Sequence, residues 1–237
     1  MRIAKALGIV GPFNIQFIAG GDKLYVIEAN VRASRSMPFT SKATGVNLMN
    51  LSVKAALSGL GMDREFIVLR PRRWWVKASQ FAWSRVRGGS YPRLGPVMYS
   101  TGEVASSGKA FEEALLKAWL STTPSRIPSK NALVYTYDEQ YVKAIDEIRN
   151  RLSRWLTVLD DTGGEVRAML KQGSVDILMT GGGDTMNKDY ATRRLAADTA
   201  TPIILHPSLG LELTRAFEWL RGGGKYVIEE LLETEIS

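Results

Sequence analysis

The sequence contains no cysteine and a single histidine, His206, among its 237 residues. The lack of cysteine excludes disulfide bonds, thiolate metal sites and a cysteine nucleophile, and it fits a cytoplasmic protein. One histidine excludes a metal centre built from several imidazoles. No apolar run approaches the roughly 20 residues that span a bilayer, and polar residues interrupt the N-terminal stretch 1–13, which is too short in apolar residues for a signal peptide. We therefore expect a cytoplasmic protein with no membrane partner.

Positive charge is concentrated in the first half of the chain. Residues 1–125 contain 17 Lys or Arg against 7 Asp or Glu, whereas residues 126–237 contain 14 against 17. A basic surface is typical of proteins that bind nucleic acid, membranes or phosphorylated small molecules. The charge changes sign within residues 121–130, which are rich in Ser, Thr and Pro. We interpret this segment as a linker between a domain of residues 1–125 and a domain of residues 126–237.

The hydrophobic pattern predicts different architectures on the two sides of this linker. Before it, residues 13–19 and 24–30 read as strands of a β-hairpin, followed by helices over 46–59 and 108–121 and by extended segments between 66 and 100. After it, strands alternate with helices, which predicts a parallel sheet with right-handed crossovers. The expected fold class is therefore mixed, α+β before the linker and α/β after it. The predicted strands are 131–137, 156–160, 175–180 and 202–207, and the predicted helices are 139–153, 163–172, 186–199, 208–221 and a short terminal one at 224–235.

The hairpin carries a group of oxygen-bearing side chains. Glu28 and Asn30 are two residues apart on one strand, so both point to the same face. If the hairpin is symmetric about Asp22, Gln16 lies opposite Glu28, and Asn14 lies opposite Asn30. Carboxylate and amide oxygens suit a hard cation such as Mg²⁺ or Mn²⁺, whose coordination phosphate oxygens would complete. A solvated polar face of an ordinary hairpin is the alternative interpretation.

Two arginines, Arg32 and Arg35, follow where this strand ends. A guanidinium group binds phosphate oxygens through two parallel hydrogen bonds, and it can neutralise charge that develops on a phosphoryl group in transfer. Oxygen ligands followed by two arginines are compatible with a site for a metal-bound phosphate, but the spacing of these residues alone does not favour it over the solvated face.

Three stretches resemble, in the right order, the large subunit of carbamoyl-phosphate synthetase. They are GPFNIQF at 11–17, YVIEANVRASRSMPFTSKATGVNL at 25–48 and LGPVMYSTGEV at 94–104. The core Glu-x-Asn-x-Arg is shared with biotin carboxylases and other ATP-grasp enzymes, and its continuation narrows the resemblance to this one family. The family has two ATP-grasp halves, and the chain is similar to the second, which phosphorylates carbamate and precedes a regulatory domain.

The resemblance implies roles for the hairpin residues. Gln16, Glu28 and Asn30 would be metal ligands, with Gln16 and Glu28 close to the nucleotide, and Arg32 and Arg35 would be catalytic residues that face the transferring phosphate. The implied cofactors are ATP and two Mg²⁺ or Mn²⁺ ions. The implied activity is the ATP-dependent ligase reaction that makes carbamoyl phosphate for pyrimidine and arginine biosynthesis, with a glutaminase small subunit as partner.

Residues 126–237 resemble the family's methylglyoxal-synthase-like regulatory domain, through element order and through TRRLAADTATPI at 192–203. This implies a nucleotide effector. The chain departs from the family at Thr180–Gly183, where an Asn-Thr-Thr-Ser-like loop is usual, and at Asp161–Gly164, where a T-x-G-T-A stretch is expected. A glycine-rich turn after a strand can still cradle a phosphate through backbone N–H groups, or it can be a plain tight turn.

In the family, the lysines, the phosphate-covering loop and the adenine-binding segment precede the hairpin, whereas this chain begins almost at the hairpin. We therefore expect a fragment or one piece of a split enzyme, inactive alone, that needs an upstream large-subunit segment or chain. The alternative is a non-catalytic regulatory or assembly module that completes the ATP-grasp site of a partner chain.

Residues 71–93 interleave basic and aromatic side chains, a pattern also found on surfaces that bind single-stranded nucleic acid. Since the family resemblance extends over this region, we favour strands with Trp74, Trp75 or Trp83 in the core and arginines on the rim, and we expect no nucleic-acid partner. His206 lies in an apolar strand end, so we expect a structural histidine rather than a catalyst.

Overall fold

Two compact units make up the chain in the computed structural model, which describes residues 2–58, 70–80, 92–95, 102–161, 163–181 and 188–228. The first unit comprises the residues up to Arg73 together with those from Ile228 onward, and the second extends from Trp74 to Val227. In the described ranges, no helix is both long enough and apolar enough to cross a membrane.

The first unit contains a β-hairpin and three helices within residues 2–58. The elements are α1 (Arg2–Ala6), β1 (Asn14–Gly20), β2 (Lys23–Asn30), α2 (Ser36–Thr44) and α3 (Leu48–Ser58). The antiparallel strands β1 and β2 confirm the predicted hairpin. Gly20 pairs with Lys23, which leaves a two-residue turn whose first residue, Gly21, has a φ of +61°. Glycine at this position is typical of a type II′ turn, since other residues rarely adopt a positive φ.

The stretch SKATGVNL forms the corner between α2 and α3. Gly45 ends α2 with a φ of +71°, as expected for a left-handed helix cap. The Asn47 side-chain oxygen accepts from the Asn50 N–H at 2.9 Å, and the hydroxyl of the buried Ser41 accepts from the Leu48 N–H at 3.2 Å. These bonds satisfy N–H groups in the first turn of α3. This part of the family-like sequence therefore fixes the backbone just beyond the candidate site.

The second unit begins with an antiparallel pair, β3 (Trp74–Gln80) and β4 (Gly102–Gly108), followed by α4 (Phe111–Leu120). A parallel sheet with strand order β6-β5-β7-β8 follows, as the alternating pattern predicts. Its elements are β5 (Asn131–Thr136), a 3-10 turn (Glu139–Tyr141), α5 (Val142–Leu152), β6 (Thr157–Leu159), α6 (Gly164–Lys171), β7 (Ile177–Gly181), α7 (Tyr190–Asp198), β8 (Ile203–Ile204) and α8 (Pro207–Arg221).

Buried apolar side chains cover both faces of this sheet. One cluster joins α4, α5 and α8 to the sheet through residues that include Leu116, Trp119, Val134, Ile148 and Phe217. The other joins α6 and α7 to the opposite face through residues that include Leu133, Leu170, Leu178 and Ala196. Sheet residues alternate between the clusters, as Leu133 and Val134 do. Helix α4 therefore shares its core with the parallel sheet.

Residues 121–130 are held in place by tertiary hydrogen bonds. The Gln80 amide accepts from the Thr123 N–H at 2.8 Å and donates to the Thr123 carbonyl at 3.0 Å. The Trp119 indole donates to the Arg126 carbonyl at 2.9 Å, and the Arg126 guanidinium donates to the Val175 carbonyl at 3.0 Å. The compact units consequently divide at residues 73 and 74 rather than at the predicted linker. The boundary between functional domains at 125 and 126 stays a prediction.

The remaining expectations have mixed outcomes. Trp75 is half-buried, but Trp74 is 57% exposed and rests edge-on against Phe111 with ring centroids 5.6 Å apart. Trp83 lies outside the described residues. Residues 224–228 are not helical, so the predicted terminal helix does not begin at 224. The rest of its predicted range, 229–235, lies outside the described residues. His206 caps α8, because its Nδ1 accepts from the Ser208 N–H at 3.2 Å, which confirms a structural role at the strand end.

Asp176 ties the start of β7 to the start of β5. Its Oδ2 accepts from the backbone N–H groups of Ser129, Lys130 and Asn131 at 2.9, 2.6 and 3.2 Å. Burial opposes the charge on this carboxylate, but the three backbone donors outweigh it and hold the pKa of Asp176 below the ordinary value of 3.8. The carboxylate therefore stabilises the fold at neutral pH.

We expect Asp176→Asn to lower the free energy of unfolding by about 1–2 kcal/mol at pH 7, because a charge-assisted acceptor is lost from a solvent-accessible site. A depressed native pKa contributes stability above the ordinary pKa of 3.8 and loses it as the pH falls through the native value. The difference between the proteins should therefore shrink below about pH 4, as urea titrations at several pH values would reveal. Asp146→Asn, at an exposed position on α5, is the matched control. An equal loss in both variants would contradict the assignment.

Candidate functional site

The hairpin register brings the predicted site residues together. Gln16 lies opposite Glu28, and Asn14 lies opposite Asn30, as the sequence predicts. The pairing reaches this register through a β-bulge: Phe17 pairs with Val26 while Gln16 pairs with Glu28, so that β2 contains one extra residue between the pairs. A bulge of this kind re-aims the side chains next to it.

Glu28 and Asn30 share one face of the hairpin with their cross-strand partners Gln16 and Asn14. The Asn30 Nδ2 donates to the Glu28 Oε1 at 2.9 Å, which confirms that the two residues project to the same side. Gln16, as the cross-strand partner of Glu28, projects to that side as well. One carboxylate and three amide groups thus project to the same side of the hairpin.

The chemistry of this donor set fits a divalent cation. Carboxylate and amide oxygens are ligands that Mg²⁺ and Mn²⁺ accept. An ion at this position would replace the hydrogen bond between Asn30 and Glu28, since both groups would then turn oxygens to the metal. The described parts of the chain hold no group of three His, Asp or Glu side chains that would form an alternative metal site.

Both arginines follow the hairpin on exposed positions. The Arg32 Nη1 donates to the Ala33 carbonyl at 3.1 Å, and Arg35 occupies the N-cap position of α2. The N-terminus of a helix presents backbone N–H groups and a partial positive charge. Arg35 therefore adds a full positive charge to a backbone position that already favours an anion.

The candidate site is open to solvent. Every residue of β1 and β2 is at least partly exposed, and Glu28 is among the exposed ones. An exposed carboxylate interacts weakly with a single cation because water screens the charges. The hairpin thus provides one side of a possible binding site for a metal-bound phosphate. Tight binding requires further groups that enclose the phosphate and exclude water.

A second cluster of polar side chains lies where the parallel strands end. The Tyr135 hydroxyl donates to Asp189 at 3.3 Å, and the buried Arg193 forms an ion pair with Asp189 at 2.8 Å. The Tyr137 and Thr192 hydroxyls donate to Asp161 at 3.1 and 3.2 Å. The TRR pattern is the sequence signal for this cluster, but it gave no hint that Arg193 is buried and paired with a carboxylate.

The carboxylates dominate the electrostatics of this strand-end cluster. Burial and the nearby Asp161 raise the pKa of Tyr137 to about 12, and burial and Asp189 raise that of Tyr135 further still. Arg193 is engaged by Asp189 and by the Pro92 carbonyl at 3.0 Å. Arg193 is therefore committed to internal partners, while Asp161 would repel an incoming phosphate. Gly182 and Gly183 of the predicted phosphate turn lie outside the described residues, so effector binding stays a prediction.

A family comparison identifies the class of the N-terminal unit. Residues 1–62, which contain the hairpin and α2–α3, match the model of the "Carbamoyl-phosphate synthase L chain, ATP binding domain". The hairpin face and both arginines therefore lie within the stretch that matches this model.

Individual relatives extend the comparison to nearly the whole chain. The carbamoyl phosphate synthase large chain of Pyrobaculum aerophilum is 53% identical over 226 residues, which is 94% of this chain and 22% of that protein. The large chains of Pyrococcus furiosus and Saccharolobus solfataricus are 42% and 43% identical over 98% and 92% of this chain. The chain is thus homologous to a portion of the carbamoyl phosphate synthase large chain, and it spans about a fifth of the length of these relatives.

Proposed function

We propose that the chain is the C-terminal portion of a carbamoyl phosphate synthase large subunit, acting in the cytoplasm, and that its hairpin forms the floor of the ATP-grasp site that phosphorylates carbamate. The observation that carries the proposal is the shared face of Gln16, Glu28 and Asn30, followed directly by Arg32 and Arg35. Homology over more than nine-tenths of the chain to proteins of this name supports it.

The proposed residues divide the work of phosphoryl transfer between them. In this reaction, a carbamate oxygen forms a bond to the γ-phosphorus of ATP while the bond from that phosphorus to the bridging oxygen of ADP breaks. Gln16, Glu28 and Asn30 would hold Mg²⁺ or Mn²⁺, which supplies positive charge to the phosphate oxygens when bound. Arg32 and Arg35 would hydrogen-bond the equatorial oxygens of the moving group.

Residues 126–237 are proposed as a regulatory domain of the methylglyoxal-synthase-like type. The supporting observation is their parallel sheet flanked by helices on both faces. A nucleotide would be the domain's effector, and a glutaminase small subunit would supply ammonia to the assembled enzyme. Both partners follow from the family resemblance.

Complementation tests the proposed function. The remainder of a homologous large chain, produced as a separate polypeptide, is mixed with this chain, and ADP release that depends on bicarbonate and ammonia is measured. We expect no activity from either polypeptide alone and activity from the mixture, because the described hairpin offers a floor without an enclosure. Activity from this chain alone, or none from a mixture that demonstrably forms a complex, would contradict the proposal.

In that mixture, we expect Arg32→Ala and Arg35→Ala each to lower kcat about 10- to 100-fold with little change in the KM for ATP. The reason is that a cation aimed at the moving phosphoryl group acts mainly in the transition state. Arg72→Ala, at an exposed position in the same unit, is the matched control and should leave kcat nearly unchanged. Equal decreases in kcat for Arg72→Ala and Arg32→Ala would indicate a general effect of positive charge rather than a direct contact between Arg32 and the phosphoryl group.

The second candidate function is a non-catalytic module that completes the site of a partner chain. The exposed apolar side chains of the hairpin favour partner binding under either candidate. The two differ in whether Glu28 of this chain is needed for turnover of the mixture.

A further inference from the structure

Helix α2 carries the buried side chains of the first unit. Among the described residues of this unit, only Ser41 and Ala43 are buried, and both lie on α2. Ser41 is the polar one of the two, and a buried hydroxyl needs hydrogen-bond partners because water does not reach it. The contacts of Ser41 are therefore the place to find what holds this helix.

The Ser41 hydroxyl joins α2 to α3. It donates to the Met37 carbonyl of α2 at 2.9 Å, and it accepts from the N–H of Leu48, the first residue of α3, at 3.2 Å. The neighbouring Thr40 hydroxyl, by contrast, donates to the Ser36 carbonyl within α2. Ser41 thus provides a direct side-chain link between the two helices.

The opposite end of α2 carries Arg35 at the N-cap position, where it makes no side-chain capping bond. The N-terminus of the helix therefore lacks the anchor that a capping side chain would provide. Arg35 and Ser41 are six residues apart, which is about 9 Å along a helix. A tilt of α2 by about 10° would consequently move the Arg35 backbone by about 1.5 Å. Since errors of about 1 Å in the placement of reacting groups can cost about 100-fold in rate, the link at Ser41 bears on the reaction.

We infer that Ser41 is a positioning residue, which holds α2 at the angle that lets Arg35 reach the transferring phosphoryl group. Ser41 acts through Arg35 and not through a contact with the substrate. This inference rests on the proposed function and deepens it, because it adds a residue that belongs neither to the hairpin face nor to the pair of arginines.

A double-mutant cycle in the complemented enzyme tests the inference. Ser41→Ala leaves the Leu48 N–H without its acceptor, and it should lower kcat about tenfold with little change in the KM for ATP, because the placement of Arg35 matters mainly in the transition state. In an Arg35→Ala background, the same substitution should lower kcat less than about twofold, since residues that act through one contact are not additive. An equal decrease in both backgrounds would indicate a general loss of stability and would overturn the inference.

Thr40→Ala is the matched control, because it removes a neighbouring hydroxyl that bonds within α2. It should leave kcat nearly unchanged, and a decrease equal to that of Ser41→Ala would contradict a specific role for the link. If Arg35→Ala lowered kcat and Ser41→Ala did not, this inference alone would fail. If Arg35→Ala left kcat unchanged, the role of Arg35 in the proposed function would fail, and the inference with it.

Hydrogen exchange of this chain alone gives a second readout that needs no turnover. Ser41→Ala should accelerate amide exchange in residues 34–51 at least about fivefold, whereas Thr40→Ala should change it less than about twofold. Exchange in the hairpin strands should stay as in the parent chain. Unchanged exchange in residues 34–51 of the Ser41 variant, or faster exchange throughout the first unit, would overturn the inference.

Discussion

A fragment of residues 126–237 should fail to unfold cooperatively, whereas a fragment of residues 74–227 should melt as one unit. The first fragment lacks α4, whose Leu115, Leu116 and Trp119 are all at least nine-tenths buried against the sheet and α8. Each large apolar side chain contributes roughly 1.5–3 kcal/mol when buried. The combined loss is comparable with the roughly 5–15 kcal/mol that stabilises a whole domain. Thermal unfolding followed by circular dichroism would measure the difference.

The matched control for this experiment is a fragment of residues 102–227, which retains β4 and α4 but lacks β3. We expect it to be intermediate, since it keeps the buried face of α4 and loses the pairing of β3 with β4. If residues 126–237 melted cooperatively within a few degrees of the longer fragment, the structural unit would coincide with the predicted linker after all.

Secondary structure was predicted correctly where burial imposes a clear periodicity on the apolar residues. The strand–helix alternation after residue 130 predicts the parallel sheet, because each strand must be apolar on both faces to lie between two layers of helices. The register of Gln16 with Glu28 was also predicted, although for an incomplete reason. The predicted symmetry about Asp22 ignores that the observed two-residue turn shifts the pairing by one residue. The bulge at residues 26–28 restores it.

Helix α2 and strand β4 are among the elements that the sequence did not predict, because tertiary or local polar bonds form these two. Helix α2 has little apolar periodicity, and its hydroxyls bond back to the helix backbone, as Thr40 does to Ser36 at 2.9 Å and Thr44 to Thr40 at 2.7 Å. Strand β4 reads GEVASSG, a poor strand sequence, but the Ser106 hydroxyl donates to the Ala114 carbonyl of α4 at 2.7 Å. Composition cannot reveal such partners.

The segment 121–130 has tertiary contacts that its composition does not reveal. Its Ser, Thr and Pro content is typical of a linker, yet the Gln80 amide and the Arg126 guanidinium fix it to distant strands. Arg126 lies 49 residues from Val175 in the sequence, so no local pattern signals their contact. The candidate site was predictable because its residues are close in the chain, whereas the partners of Arg126 and Gln80 are distant in it.

Glu28→Gln should lower the turnover of the complemented enzyme by about 100-fold or more. Glutamine keeps the shape of the side chain and one of its two oxygens. Of the three proposed metal ligands Gln16, Glu28 and Asn30, only Glu28 carries a carboxylate, so the substitution removes the negative charge of the set. The loss of a main electrostatic contact in the transition state has effects of this size. The concentration of Mg²⁺ that gives half-maximal rate should rise as well, because a neutral amide attracts a divalent cation less than a carboxylate does. Steady-state kinetics over a range of Mg²⁺ and ATP concentrations would measure both effects.

Asp22→Asn is the matched control for this substitution. Asp22 lies in the turn of the same hairpin and is exposed, and its replacement also removes one negative charge while keeping the size of the side chain. It should change neither the turnover nor the Mg²⁺ dependence by more than about twofold, because a surface charge at this distance from the site is screened by solvent. A Glu28→Gln enzyme with normal Mg²⁺ dependence, or an Asp22→Asn enzyme as impaired as Glu28→Gln, would show that the hairpin face does not hold the metal.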